Sequence, residues 1–474
     1  MTTTRTEASP RVDRRWWFGL AAVAAAAFAW RAVYILVWRR DHQVWGDAYF
    51  YHHGANLLAD GYGFVNPFRF LIDGLIQQAA DHPPVYTVYL FLFSTLGVRS
   101  PTGHMLATAL VGTASVVLAG LIGRRIAGNT TGIVAAVLVA FYPNTFSWDG
   151  MLLSEPMALF AVMLTAFLAY RFVDDPSLVR IVLLGAAVGL ATLSRAELGL
   201  LAVFIVVPLV LRRSNLTSWR SRIGWLAASG AACLAVLAPW VAFNATRFDE
   251  PVYLSSGFEI TLATVSCDKT YYGELTGYWS LECVFGYLEP TGLNPLNSDE
   301  SQRGQVLRDE SIDYIQENLD RLPTVIVARW GRALGLWNFE QSVQLDSFDA
   351  GRTLWVAWAG AVSFLVMAPL AVVGGLALRR RGKLVYPLAA PFLTVWFTAT
   401  VTFGQPRYRA LAEGPLAVLA AVGLVAIVAA IRRRTAGGDA TPDGDAPPPP
   451  AAPPLSGATV GAGPDPSPET SDHV

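Results

Sequence analysis

The chain has 474 residues, 53% of them hydrophobic and only 15% charged, with a formal net charge of −1 and a mean hydropathy of +0.40. A soluble chain carries charge on about a quarter of its residues, so this composition excludes an ordinary soluble domain, and the near-zero charge excludes a broadly basic nucleic-acid binder. The sequence contains no phosphate-cradling Gly-rich loop with its Lys, no CxxC pair and no zinc-protease helix motif.

Several windows run for about 18 residues or more without a charge, the length that crosses a hydrocarbon core. The first predicted span is Trp16 to Trp38, behind Arg5, Arg11, Arg14 and Arg15. At about 23 residues it is long for the apolar part of a signal peptide, and no small-residue cleavage site follows. Further spans are predicted at 103–122, 128–147, 156–172, 178–194, 197–211, 223–243, 353–378, 384–403 and 411–431, making ten. Short cytoplasmic loops collect Lys and Arg. With the N-terminus inside, the even-numbered loops should be basic. They carry Arg124 and Arg125; Arg212, Arg213, Arg220 and Arg222; Arg379 to Lys383; and Arg432 to Arg434. Arg171 and Arg180 flank the remaining one. Both termini are then cytoplasmic. The apolar stretch Pro83 to Leu96 is too short to cross and would reverse that pattern, so it reads as an interfacial helix on the outer face.

The organisation predicted is a cytoplasmic N-terminus (1–15), a transmembrane module (16–243) with a first outer loop at 39–103, an extracytoplasmic lobe (244–351), C-terminal transmembrane helices (352–431) and a disordered cytoplasmic tail (432–474). The fold class is an all-α polytopic membrane protein. In the lobe, Cys267 and Cys283 read as a disulfide closing a short loop, worth on the order of 3 kcal/mol. Two free thiols are the alternative, and Cys233, inside a span, reads as packing. Around the pair lie Tyr271, Tyr272, Tyr278, Trp279 and Tyr287, which either stack on sugar rings or pack a small lobe. The segment Pro323 to Asn338 has helical spacing of Val327, Trp330, Leu334 and Trp337, with Arg329 and Arg332 on the other flank, and suits an interfacial amphipathic helix.

The chemistry-bearing residues gather in the outer loops. Asp47 follows the first span, ahead of a short helix over about Ala48 to Leu58 that carries Tyr51, His52 and His53. A carboxylate there either caps the helix or serves as a base. Asp149 and Glu155 lie in the second outer loop, with Pro156 opening the next span. His82 stands directly before Pro83 and Pro84. Arg195 and Glu197 sit where the fifth and sixth spans meet and could pair with each other. Gln405, Arg407 and Arg409 occupy the last outer loop, where cations run against the charge bias and suit a local phosphate. Asp47 and Glu155 thereby come to one membrane face.

An early outer-loop acid, a Tyr-rich helix, a G-x-G-F turn, a His-Pro-Pro before an interfacial helix, an acid ahead of Pro at Glu155 and the Arg-Tyr-Arg loop at Arg407 to Arg409 together resemble the GT-C membrane glycosyltransferases. Family 39, with the protein O-mannosyltransferases and the aminoarabinose transferases of lipid A, is the branch most alike, and the segment PTVIVARWGRAL looks actinobacterial. The resemblance implies a sugar donor on a polyprenyl phosphate, an extracytoplasmic glycan, lipid or protein acceptor, and transfer with inversion at a bacterial inner membrane. It implies Asp47 as the base, Glu155 as the second acid and His82 as the basic residue before Pro-Pro; on the residues themselves Arg195, Arg407 and Arg409, together with His82, suit the donor phosphate, and Tyr51 and His52 are further candidate substrate-binding residues. No cofactor is required by the pattern, although a divalent cation near Asp47, His52 and His53 could replace some of the cations. A transporter or flippase of lipid-linked sugars would use the same arginines without a base. It would also show an internal repeat, which this sequence lacks; a purely scaffolding protein would need neither charge cluster.

Overall fold

The computed structural model describes residues 13–212, 218–349 and 351–438. The predicted flanking Arg5, Arg11 and Arg213 and the tail beyond 438 lie outside the described residues. The described part up to Val428 forms one compact unit, and a second begins at Ala429.

Among the described residues all regular structure is helical. In chain order the helices are α1 (Arg14–Tyr34, prolonged by a wider turn over Ile35–Arg39), α2 (Asp47–Ala59), α3 (Val85–Thr95), α4 (Pro101–Ala127), α5 (Asn129–Phe141), α6 (Pro143–Phe146), α7 (Glu155–Asp174), α8 (Leu178–Ser194), α9 (Val207–Leu211) and α10 (Trp219–Asn244). The segment after α10 holds α11 (Gly257–Ala263), α12 (Asp268–Tyr271), α13 (Leu281–Leu288), α14 (Glu300–Glu317), α15 (Leu322–Ala333) and α16 (Phe339–Asp349). The chain closes with α17 (Leu354–Arg380), α18 (Tyr386–Val401) and α19 (Ala410–Gly438). Local sequence explains the ends. Ser100 caps α4 by accepting from the Gly103 N–H, Pro101 occupies its first turn, and Gly128 stops it at a φ of 93° that a side chain would resist.

The protein is a multi-pass membrane protein. Six helices are long and apolar enough to cross a bilayer: Arg14–Arg39, Pro101–Ala127, Glu155–Asp174, Trp219–Asn244, Leu354–Arg380 and Pro406–Thr435. A seventh, Asn129–Phe141 with Pro143–Gly150, is bent by 62° where Pro143 interrupts the backbone hydrogen bonds. The other three predicted spans, at 178–194, 197–211 and 384–403, fall on the shorter apolar helices Leu178–Ser194, Ala196–Leu211 and Tyr386–Val401. At 1.5 Å per residue these reach only about 25 Å.

Apolar burial does not bring helices together in lipid, because the tails are as apolar as Leu; close packing does. Small residues supply it here. A Cβ on Gly374 of α17 would collide with the Leu419 carbonyl of α19, and one on Gly185 of α8 with the Ser229 carbonyl of α10. Around α4, residues of α1, α5 and α7 interdigitate in a core that includes Leu20, Val116, Ile122, Ala136 and Met163.

The segment after α10 contains the disulfide Cys267–Cys283, which joins residues 16 apart at a Cα–Cα distance of 5.6 Å. Cys233 is free and half-buried. Of the aromatic residues near the disulfide, Tyr271 and Tyr278 are buried. Tyr287 bonds the Ser266 carbonyl, so these three pack the segment, while Tyr272 is exposed and bonds Asn318 at 2.6 Å. Trp279 alone among them faces the large cavity described below.

The predicted amphipathic helix at 323–338 contains α15, but the flank read as polar is buried as well, while Trp330, Leu334 and Trp337 of the apolar flank are only half-buried. Arg329 and Arg332 are buried, while Val327 and Leu336 are exposed. The reason is polar satisfaction. Loop carbonyls without helix partners need donors. Arg329 donates to the Thr400 carbonyl at 2.7 Å, and Arg332 donates to the carbonyls of Thr276 and Glu274 at 2.7 and 2.8 Å.

Candidate active site

Five segments end together on one face. Gly46, at a φ of 56°, turns the chain sharply after α1, so that α2 starts at Asp47. The N-cap residue is Gly46, which has no side chain to cap α2, and the helix dipole favours the Asp47 charge in the first turn. Its Oδ2 accepts from the Arg407 guanidinium at 2.7 Å, and its Oδ1 lies 3.6 Å from His82 Nε2. Arg407 sits in the turn Pro406–Arg409 before α19. It also donates through Nε to Glu155, the first residue of α7. Glu155 Oε1 accepts in addition from Arg195 at 3.0 Å, and Arg195 holds Glu197 at 2.6 Å. The charges therefore alternate along a line: His82, Asp47, Arg407, Glu155, Arg195, Glu197.

Glu155 is almost wholly buried, at 1% exposure, and its Oε2 has no hydrogen-bond partner. A carboxylate taken this far from water is tolerated because two guanidinium groups share its other oxygen. Burial pushes the Asp47 carboxyl up, but Arg407 and His82 overcome that and hold it well below the usual carboxylate range. Burial pulls His82 down, yet the carboxylates of Asp81, at 3.3 Å, and Asp47 outweigh it and raise its pKa. The imidazole is further fixed by stacking on Tyr51, with ring centres 4.8 Å apart.

These groups open onto a cavity of about 670 Å³, lined by Asp47, Tyr51, Asp81, His82, Arg195, Glu197 and Arg407 together with apolar side chains from α18 and the segment after α10. Its size falls within the range of small-ligand sites, about 300–1,000 Å³.

Three residues singled out in the sequence are placed elsewhere. Arg409 is two positions from Arg407, which on a helical turn rotates it by roughly 200°. It points into the bundle, holds Glu413 at 2.6 Å and donates to the Ala333 carbonyl at 2.8 Å. His52 faces away from Asp47 and shares a hydrogen bond with His104 at 3.0 Å. Asp149 is buried against Arg31 of α1 at 2.6 Å. The possibility of a cation held by Asp47, His52 and His53 does not fit this arrangement, since His52 bonds His104 and the His53 ring packs at a tilt against Tyr49, with ring centres 4.1 Å apart. Among the described residues no group of three or more His, Cys, Asp or Glu side chains is arranged to hold a metal.

Sequence reasoning missed Asp81 and Glu300. Asp81 was visible only as the neighbour of His82. Glu300, at the start of α14, is buried and accepts from the Ala80 N–H at 3.1 Å, Ser256 Oγ at 2.8 Å and Asn66 Nδ2 at 3.1 Å. It thereby clips the loop carrying Asp81 and His82 to the segment after α10. No local pattern announces such a contact across more than two hundred residues.

The helical membrane bundle, with acids and arginines from several segment ends meeting at one cavity, is similar in fold to solved oligosaccharyltransferase structures. The family model for dolichyl-phosphate-mannose-protein mannosyltransferase matches residues 81–243, about a third of the chain, which include His82, Glu155 and Arg195 but neither Asp47 nor Arg407. No curated protein matches the chain. Among solved structures it is similar to the oligosaccharyltransferase AglB of Archaeoglobus fulgidus in complex with an inhibitory peptide and a dolichol-phosphate. That match has 14% identity and a TM-score of 0.50, covering 91% of this chain and 53% of the other. The same enzyme tethered to an acceptor peptide matches at 13% identity and a TM-score of 0.50, over 90% of this chain and 51% of that one. ArnT of Cupriavidus metallidurans bound to undecaprenyl phosphate matches at 15% identity and a TM-score of 0.43, over 91% and 82%. The chain spans about half the length of the oligosaccharyltransferase, and at these identities the likeness is one of fold.

Proposed function

We propose that the protein is a glycosyltransferase of the family 39 type, from an actinobacterial branch, that moves a sugar from a polyprenyl phosphate to an acceptor hydroxyl. The observation that carries this reading is the single Arg407 guanidinium shared between Asp47 and Glu155 at the wall of the cavity. The dolichyl-phosphate family match over 81–243 and the dolichol-phosphate complex of the oligosaccharyltransferase support the donor class.

In the proposed reaction Asp47 takes the proton of the acceptor hydroxyl as its oxygen attacks the anomeric carbon. The bond from that carbon to the phosphate oxygen breaks, the configuration inverts, and polyprenyl phosphate leaves. Arg407, Arg195 and His82 stabilise the charge that grows on the phosphate. Held by Arg407, Asp47 is a weak base. A donor phosphate beside Arg407 competes for the same N–H groups, loosens their hold on the carboxylate and makes it more basic. The base would then gain strength only when the donor is in place. The acceptor is a glycan, lipid or protein, the lipid chain lies between helices in the membrane, and the site faces outward from the bacterial inner membrane.

Purified protein in lipid nanodiscs, given radiolabelled polyprenyl-phosphate sugars and envelope acceptors, should pass label to an acceptor. In sealed proteoliposomes, movement of intact labelled lipid across the bilayer without transfer would establish the flippase reading instead. The topology is checked separately. A cysteine placed at Arg124 should be shielded from an impermeant thiol reagent in intact cells, and labelling from outside would reverse the assignment of the face.

His82 makes the site pH-sensitive in a defined direction. Its pKa is raised, so the imidazolium is present below that raised value and is lost as pH climbs through it. Donor affinity should therefore fall by roughly tenfold as pH climbs from neutral through that raised value, the loss of one charge-assisted hydrogen bond. Donor titrations across that range should show the fall in the native protein and a flat profile in His82→Gln.

A further inference from the structure

The cavity has a second polar wall, opposite in chemistry to the arginines, which the transfer step does not use. Helix α16 ends on Asp349. A carboxylate in the last turn of a helix opposes the helix dipole, so its position there does not serve the helix. The buried Tyr278 donates its hydroxyl to Asp349, and that hydroxyl lies 3.3 Å from the Gln405 amide. The next residue, Trp279, is half-buried and stacks beside Tyr278 at a ring-centre distance of 5.9 Å. Trp279 then packs on Phe403 at 6.3 Å, Phe403 on Tyr408 at 4.7 Å, and Arg195 lies over Tyr408 at 5.4 Å. An aromatic strip thus runs from the phosphate-binding cation to Trp279. Trp279, Asp349 and Gln405 all line the same cavity as Asp47 and Arg407.

We infer that this wall is the subsite for the donor's sugar: Trp279 stacks on the apolar face of the ring, while Asp349 and Gln405 take its hydroxyls. The inference rests on the glycosyl-transfer reading and adds the substrate class to it. An ionised carboxylate is an acceptor only, with room for two hydroxyl donors, which matches neighbouring free hydroxyls on a ring. An aromatic ring offers its negative face to the ring's C–H bonds. A sugar esterified to a phosphate at Arg407 and Arg195 has to extend along the cavity, and the strip marks such a path. Asp349, the carboxylate of this wall, has no cation paired with it among the described residues and repels a further negative charge. The sugar is therefore a neutral or cationic one with free adjacent hydroxyls, and not a uronic acid.

The test measures binding of the full-length protein in nanodiscs to undecaprenyl phosphate alone and to undecaprenyl phosphate bearing mannose, glucose, arabinose or glucuronic acid. The native protein should bind at least one neutral sugar lipid more tightly than the bare phosphate lipid, and gain nothing from glucuronic acid. Trp279→Ala and Asp349→Asn should each remove about three- to tenfold of that gain and leave the affinity for bare undecaprenyl phosphate unchanged. Trp279→Phe, which keeps a ring, should retain most of it and guards against a folding defect. Equal weakening of sugar-bearing and bare lipid, no gain from any neutral sugar in the native protein, or preference for the uronate would each overturn the subsite. Arg407→Ala is read separately. If it leaves bare undecaprenyl phosphate binding intact, the phosphate reading fails while the sugar gain at Trp279 and Asp349 can still stand.

Discussion

Asp47→Asn is expected to abolish transfer while leaving the fold and donor binding nearly intact. The amide has almost the shape of the carboxylate, and its oxygen can still accept from Arg407, which reaches Asp47 Oδ2 at 2.7 Å. What it cannot do is take a proton. A positioned general base contributes about 10²–10⁴-fold, or roughly 3–5 kcal/mol of barrier. If Asp47 were only a helix-start acid, the same substitution would cost the helix-dipole contribution, about 0.3–1 kcal/mol of stability, and leave turnover nearly unchanged. The structure sharpens the contrast because the N-cap of α2 is Gly46 and the Asp47 carboxylate is turned to Arg407.

Arg407→Ala should fail in a different way. Arg407 bonds both Asp47 and Glu155, and its removal leaves two carboxylates without their shared cation. Loss of its bonds to a donor phosphate should weaken donor binding by roughly ten- to a hundredfold, the value of a charge-assisted hydrogen bond. The acid limb of activity should also move. In the native protein Asp47 is ionised far below the ordinary carboxylate pKa, because Arg407 and His82 overcome burial. Without Arg407, burial is opposed by His82 alone, the folded-state pKa rises, and activity is lost at a higher pH as the solution is acidified. Arg407→Lys separates charge from geometry. It restores the cation, and hence the acid limb, but not the two-pronged hold on Asp47 and Glu155. A pH–rate profile of the three proteins checks this. An acid limb identical in all of them would show that Arg407 does not set the ionisation of Asp47.

Residues at helix ends were the readable part of this sequence. Asp47, His82, Glu155, Arg195 and Arg407 each lie where an apolar run stops, and apolar runs are visible in sequence. Charge alternation between loops then assigned them to one face. Rotation about a helix axis was not readable in short irregular turns. Arg407 and Arg409 belong to one motif, yet one reaches the cavity and the other holds Glu413 inside the bundle. His52, in the same short helix as Asp47, turns to His104. The flank of α15 read as polar is buried, because the carbonyls of Thr400 and Thr276 draw Arg329 and Arg332 inward, while Val327 of the apolar flank is exposed. Asp349 and Glu300 had no local signal at all. Their roles depend on contacts with Tyr278 and Ala80, far along the chain.

The most direct test pairs turnover with donor affinity for Asp47→Asn and Arg407→Ala in the same nanodisc preparation, with a polyprenyl-phosphate sugar that the native protein consumes. The account predicts that Asp47→Asn binds the donor as the native protein does and loses at least about a hundredfold in turnover, while Arg407→Ala loses donor affinity. If Asp47→Asn keeps more than about a tenth of native turnover, below the usual contribution of a general base, Asp47 is not the base and the mechanism is contradicted.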